Sequence, residues 1–200
     1  FTRAWERNYK LADNGMPFRA GGRKTTAYPN KEDTQWWLDN GPKMVDYWAQ
    51  FRQDSGYQIY EFPGGQPAVE SEMNQQINGV NIKAYLDRLM VSPEGELTVV
   101  DIKTSSKEPA TNTQLGIYSI LAEMQFGVRP TKGAYFLART GELSNPVDLS
   151  NYTSNRLGSW LKSFEKAIEH NIFIPAPGFM CGTCAVNNSC YVVNGKDSYK

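Results

Sequence analysis

The sequence has no long hydrophobic run, no excess of charge of either sign, and few cysteines. Nothing in it approaches the roughly 18 consecutive apolar residues that a membrane-spanning helix requires. The opening FTRAWERNYK has neither the apolar core nor the cleavage site of a secretory signal. A soluble, intracellular chain is therefore expected, with no membrane partner. Lys plus Arg and Asp plus Glu balance at 21 each, so there is no global basic signature of a protein that coats nucleic acid. Any contact with nucleic acid must come from a local patch. The three cysteines are an odd number bunched as C-x2-C-x5-C, which argues against a disulfide framework and for a metal or cluster site. The first residue is Phe rather than Met, and the expectation is that N-terminal sequence precedes it.

What is present fits one compact domain with a tail. Two hundred residues with 40% apolar content can bury a proper core. Residues 1–40 are polar and aromatic, with a loop-like RAGGRKTTAYPNKED. From Thr34 to Phe51, Trp37, Met44, Val45, Trp48 and Phe51 recur at helical spacing, and Gly41-Pro42 is expected to break or restart that helix. Strand-like text follows in YQIYEF, PAVESEMNQQI, VNIKAYLDRLMV and ELTVVDIKT, with a hairpin signal at Asn78-Gly79. This predicts an antiparallel meander whose last strand, continuously apolar from Leu97, is central. A helix over TQLGIYSILAEMQF stopped by Gly127, a strand over GAYFLAR and an amphipathic helix over SNRLGSWLKSFEKAIEHN complete the domain. The remaining tail is loop-rich.

Asp87, Asp101 and Lys103 interrupt strands that otherwise read as buried, and charges are rarely buried without a partner or a metal. Side chains at i and i+2 of a strand share a face, so Asp101 and Lys103 project together. Asp87 lies one hairpin away and can approach them. Two converging carboxylates need a cation, and such oxygen ligands suit Mg²⁺ or Mn²⁺, with the Ile102 carbonyl as a third donor. An ion there could activate water while Lys103 orients it or offsets transition-state charge. D-x-K alone is a weak signal, since a surface ion pair is its usual outcome. The ordered series is more specific: Glu70, Asp87 eight residues after Gly79, the Glu94-Gly95-Glu96-Leu97 turn, VVDIKT, then Gln114 and Tyr118.

The run VESEMNQQINGVNIKAYLDRLMVSPEGELTVVDIKTSS followed by QLGIYS resembles the PD-(D/E)XK nuclease superfamily, and within it the RecB-like exonucleases, including CRISPR-associated and phage-encoded relatives. The likeness covers Val69 to about Arg139, and more loosely the cysteines. It implies an α/β fold with a restriction-endonuclease-like core: a mixed central sheet with an antiparallel hairpin, flanked by helices, plus a C-terminal cysteine tail. Residues 1–55 would be an N-terminal segment, 56–174 the nuclease core and 175–200 the tail. By position, Glu70, Asp87, Asp101, Lys103, Gln114 and Tyr118 would be catalytic, with Asp87, Asp101 and the Ile102 carbonyl on the metal. Glu72 is close enough to Glu70 to compete for its place. The implied activity is metal-dependent hydrolysis of DNA, as an exonuclease acting on ends or single strands. The setting would be the cytoplasm of a bacterial or phage-infected cell.

The sequence departs from that family in two places. A metal-binding His is expected on a helix before the hairpin, yet the only histidine is His170, near the end of the last helix, where a capping or structural role fits better. Cys181, Cys184 and Cys190 resemble the C-terminal triplet of iron–sulfur RecB-like nucleases, whose 4Fe–4S cluster takes a fourth, upstream Cys. Zinc held by three Cys and one His is the alternative. Both gaps are met if an N-terminal segment supplies the missing His and Cys. Two rival functions stay open: a nuclease fold that binds DNA without cleaving it, and a zinc-bound adaptor with no metal at Asp87.

Overall fold

The computed structural model describes residues 34–172 continuously, together with residues 3, 4, 6, 7, 32, 174, 178, 181, 184 and 190. Two compact units divide at Leu157. The first carries helix α1 (Thr34–Asp54), strands β1 (Gln58–Ile59), β2 (Val69–Ile77), β3 (Val80–Val91) and β4 (Leu97–Lys103), helix α2 (Thr113–Phe126), and strands β5 (Lys132–Leu137), β6 (Glu142–Leu143) and β7 (Val147–Asp148). Helix α3 (Ser154–Glu169) begins in the first unit and continues into the second, where Trp160, Phe164 and Ile168 form an exposed apolar stripe. No described helix is long and apolar enough to cross a membrane.

The strands make one seven-stranded mixed sheet in the order β1-β3-β4-β5-β6, with β2 also on β3 and β7 also on β5. This is the expected restriction-endonuclease-like α/β arrangement. The β2–β3 hairpin turns on Asn78 and Gly79, both at positive φ (51° and 89°), which the twist of a two-residue hairpin favours and which Asn and Gly tolerate. Strand β4 lies between β3, antiparallel, and β5, parallel. The parallel pairing requires a crossover, and α2 supplies it.

Two expectations need correcting. The chain from Tyr57 to Phe62 is not a full strand of a meander: Gln58–Ile59 forms a two-residue strand on β3, on the edge that β2 also uses, and Glu61 makes an isolated bridge with Pro67. Beyond it the backbone folds back on itself, with Phe62 N–H bonded to the Gln66 carbonyl and Gly65 N–H to that of Phe62. Nor does Gly41-Pro42 break α1, which runs through Pro42. A proline crowds the residue before it largely through that residue's Cβ, and glycine has none. Apolar residues on both sides of Pro42, Trp37 before it and Met44, Trp48 and Phe51 after it, also anchor to one cluster.

That cluster fixes the layers. On one face of the sheet Met44, Trp48 and Phe51 of α1 pack over Met90, Val100, Phe136 and Ala138. Trp48 meets Phe136 edge-on at 4.9 Å and Phe51 meets it at 5.1 Å. Each large apolar side chain buried here contributes about 1.5–3 kcal/mol. On the other face lies α2, with Leu115, Ile120 and Leu121 buried. Two glycines permit this contact. A Cβ on Gly133 would come within 2.9–3.1 Å of Leu149 and Leu115, and one on Gly116 would fall 2.2 Å from the Tyr152 ring. Helix α2 ends at Gly127, in the left-handed conformation with its N–H on the Glu123 carbonyl.

Candidate active site

The pairing of β3 with β4 runs from Val91↔Leu97 to Arg88↔Val100 and stops there. The next positions in register are Asp87 and Asp101, so the two aspartates face each other where the strands part. Asp87 Oδ2 accepts a hydrogen bond from Ile102 N–H at 3.0 Å. The carboxylate thus replaces a rung of the ladder and is fixed against the backbone of β4.

Asp101 is 1% exposed. Its Oδ2 is buried and accepts no hydrogen bond of ordinary geometry, and its close neighbour is the Lys103 ammonium, an ion pair at 2.6 Å. Burial pushes the Asp101 carboxyl up from its usual range; the Lys103 ammonium opposes the rise and Asp87 adds to it. A buried, imperfectly bonded carboxylate oxygen beside a second carboxylate is a donor set suited to a hard divalent cation.

Lys103 Nζ also donates to Gln114 Oε1 at 2.9 Å, and Gln114 Nε2 donates to the Tyr118 hydroxyl at 2.7 Å. Gln114 and Tyr118 are four apart on α2, hence on one helix face. Burial raises the Tyr118 pKa, and Asp87, Asp101 and Glu70 raise it further, against the Gln114 bond. The phenol therefore stays protonated and can donate. The structure brings Asp87, Asp101, Ile102, Lys103, Gln114 and Tyr118 into one connected group.

Glu70 behaves differently. Its neighbours in β2 pair as Val69↔Arg88 and Ser71↔Leu86, which puts it across from Asp87. Its backbone is left-handed, φ 48°, a conformation costing a non-glycine residue about 1–2 kcal/mol. The carboxylate accepts from Arg88 Nη1 at 3.0 Å, and the Arg88 guanidinium lies 5.9 Å from the centre of the Trp48 ring. Glu72, the competing acid, is engaged on the hairpin by Lys83 at 2.9 Å and by the Tyr85 hydroxyl at 2.9 Å.

Tyr135 is a neighbour that sequence reasoning missed. It pairs with Asp101 across the parallel β4–β5 ladder, its hydroxyl donates to the Thr111 carbonyl at 3.1 Å, and Lys103 Nζ lies 5.9 Å from its ring centre. Burial, with Asp101 beside it, pushes its pKa up to about 12. The signal available was its place in GAYFLAR, legible only once the register with β4 is known.

His170 bonds through Nδ1 to the Lys166 carbonyl at the end of α3. In the second unit Cys184 N–H reaches the Cys181 carbonyl at 3.3 Å, and Gly178 N–H reaches Cys181 Sγ at 3.2 Å. Among the described residues no three His, Cys, Asp or Glu side chains gather closely enough to hold a metal, at the cysteines or elsewhere.

A mixed sheet whose hairpin and central strand deliver two aspartates and a lysine to one end, beneath a helix that adds a glutamine and a tyrosine, defines a nuclease class of α/β domain. The chain belongs to the PD-(D/E)XK nuclease superfamily, whose family model matches residues 3–191. It is similar to the Gene 69 protein of Mycobacterium phage D29, 29% identical over 192 residues that cover 86% of this chain and 70% of that protein. The Gene 69 protein of Mycobacterium phage L5 is 28% identical over 198 residues, covering 79% and 68%. Among solved structures, that of SSO0001 is similar with a TM-score of 0.42 and 12% identity, over 80% of this chain and 72% of that one.

Proposed function

We propose that this chain hydrolyses DNA phosphodiester bonds in a divalent-metal-dependent reaction, as a RecB-like exonuclease acting on ends or single strands, with residues 56–174 as the catalytic core. The observation that carries the reading is the series in which Asp101 is ion-paired to Lys103, and Lys103, Gln114 and Tyr118 are hydrogen-bonded in turn, beside Asp87 at the point where β3 and β4 separate. Asp87, Asp101 and the Ile102 carbonyl would hold Mg²⁺ or Mn²⁺, which would lower the pKa of water and offset charge on the phosphate.

The chain's own groups have distinct parts. Asp87, fixed by Ile102 N–H, and Asp101, fixed by burial, keep their carboxylates in place before substrate arrives. Lys103 is ion-paired to Asp101 and spends one of its three protons on Gln114, which leaves donor capacity for the attacking water or a phosphate oxygen. The Tyr118 hydroxyl accepts from Gln114, so its own proton is available to a phosphate oxygen. Glu70, across from Asp87 in register and ion-paired to Arg88, would be an acid neighbouring the metal. Cys181, Cys184 and Cys190 would hold a 4Fe–4S cluster, or zinc, in a protein that supplies the remaining ligand, a reading supported by the family resemblance.

The test is degradation of end-labelled single-stranded DNA with Mg²⁺ or Mn²⁺, comparing this chain with Asp101→Ala. Metal-dependent loss of label that the substitution abolishes supports hydrolysis at this site. Binding without cleavage favours the rival, a nuclease fold that only holds DNA; the observation behind that rival is that no third acidic or His side chain joins Asp87 and Asp101 among the described residues.

A further inference from the structure

We propose that a cavity beside Glu70 is a nucleobase subsite, which receives an unstacked base of the strand being cut. The inference rests on the hydrolysis reading for the identity of the strand, but not for the chemistry of the cavity. The cavity is half open to solvent, holds about 450 Å³ beside β2, and its walls include Phe62, Gln66, Ser71, Glu72, Gln125 and Phe126. That volume is within the range of small-molecule sites, roughly 300–1,000 Å³. Ser71 and Glu72 follow Glu70 directly, so at a rise of about 3.3 Å per residue the cavity begins within about one nucleotide of the parting strands at Asp87.

The walls suit a flat, uncharged, hydrogen-bonding ring. Buried Phe62 stacks on Phe126 with centroids 3.9 Å apart and planes 24° from parallel and so backs it, leaving the half-buried Phe126 ring as the surface on which a base can stack without regard to sequence. Neither Lys nor Arg occurs among the described lining residues, so the cavity is not built for a phosphate. Glu72, the charged member, has its carboxylate committed to Lys83, Tyr85 and Asn74.

The cavity is also held rigid. Gln125, in the last turn of α2, accepts from Asn74 N–H at 2.8 Å and donates to the Glu72 carbonyl at 2.8 Å, which binds the helix to the edge of β2 as another strand would. With the Gln125 amide committed in this way, the Ser71 hydroxyl and the Gln66 carboxamide are the side chains suited to the edge of a base. A preformed wall of this sort spares the ordering cost of assembling one around each base.

The experiment has two arms. In the first, deoxyadenosine and thymidine are titrated into the ¹⁵N-labelled chain; amide signals of Ser71, Gln125 and Phe126 are expected to shift, and Ser71→Trp, which fills the cavity, should abolish the shifts. Gln66→Ala, a change at the exposed rim that does not threaten folding, should weaken them about threefold. In the second arm, one abasic position is walked along a single-stranded substrate. At one register the abasic nucleotide should raise KM about tenfold, the usual worth of one base–aromatic stack, and Ser71→Trp should make intact and abasic substrates equal. Active enzyme with a flat abasic profile and no nucleoside shifts overturns the subsite, as do shifts produced by an aromatic peptide amide and not by nucleosides. A chain that cleaves nothing but shows the nucleoside shifts overturns the hydrolysis reading and leaves the subsite standing.

Discussion

Val100 and Asp101 are adjacent in β4, both essentially fully buried, and governed by opposite physics. Val100 lies in the hydrophobic cluster that α1 closes with Met44, Trp48 and Phe51. Asp101 lies on the α2 side, where its burial sets a carboxylate against a second carboxylate, a lysine and a glutamine. The α1 face of the sheet therefore supplies packing alone, whereas the α2 face combines packing by Leu115, Ile120 and Leu121 with unfavourable charge held in a fixed place. A charged site of this kind persists only because the opposite face over-determines the strand that carries it.

This division can be broken experimentally. Asp101→Ala is expected to lower the cleavage rate about a thousandfold with little movement of the melting temperature. Phe136→Ala should cost about 3–5 kcal/mol in denaturant unfolding and leave the rate per folded molecule within a few-fold. If the stability loss falls on Asp101 and the rate loss on Phe136, the two faces do not have separate duties. A smaller contrast is expected within the site: Lys103→Ala should lower the single-turnover rate about a hundredfold while affinity for uncleavable DNA changes little. Lys83→Ala, on the hairpin and outside the motif, should affect binding or nothing; equal losses of rate and affinity at Lys103 would instead favour the binding-only module.

Metal addition sharpens the comparison further. Mg²⁺ or Mn²⁺ at about 100 times its Kd should stabilise the chain by about 2.7 kcal/mol, read as a thermal shift. The shift should vanish in Asp87→Ala and Asp101→Ala and survive in Cys184→Ser; survival in Asp101→Ala would move the ion elsewhere. The smallest effect concerns pH. Tyr135 keeps its proton up to about 12 in the folded chain, whereas an unfolded tyrosine loses it near 10. Between those values the folded state binds the extra proton, so stability present below pH 10 declines as the pH rises towards 12. Thermal melts from pH 9 to 12 should show this decline, and Tyr135→Phe should flatten it.

Much of this was legible because local rules and tertiary structure agree. Asn78-Gly79 demanded a hairpin, the apolar run from Leu97 demanded a central strand, and the i, i+2 spacing of Asp101 and Lys103 put them on one face. The four-residue spacing of Gln114 and Tyr118 did the same on α2. Where long-range contacts decide, the reading fell short. Pro42 is carried through α1 by aromatic anchors on both sides of it, and no window of sequence shows what they anchor to. Tyr135 joins the site only through the parallel register of β5 with β4, and the left-handed backbone of Glu70, with its bond to Arg88, has no local signature. The exonuclease reading and the iron–sulfur cluster rest on family likeness alone, and the polarity of digestion has no signature in the sequence.

Gly116 sits midway between Gln114 and Tyr118, with the Tyr152 ring pressed against its bare backbone. The ring works as a key in a slot: it sets the rotation of α2 at which Gln114 meets Lys103 and Tyr118 meets Gln114. Any side chain at 116 would force the helix and the Tyr152 ring apart, and movement of the helix would withdraw Gln114 and Tyr118 together. The alignment of the site is thus governed by a residue with no chemistry of its own, and Gly116→Ala would detune two functional groups with a single methyl.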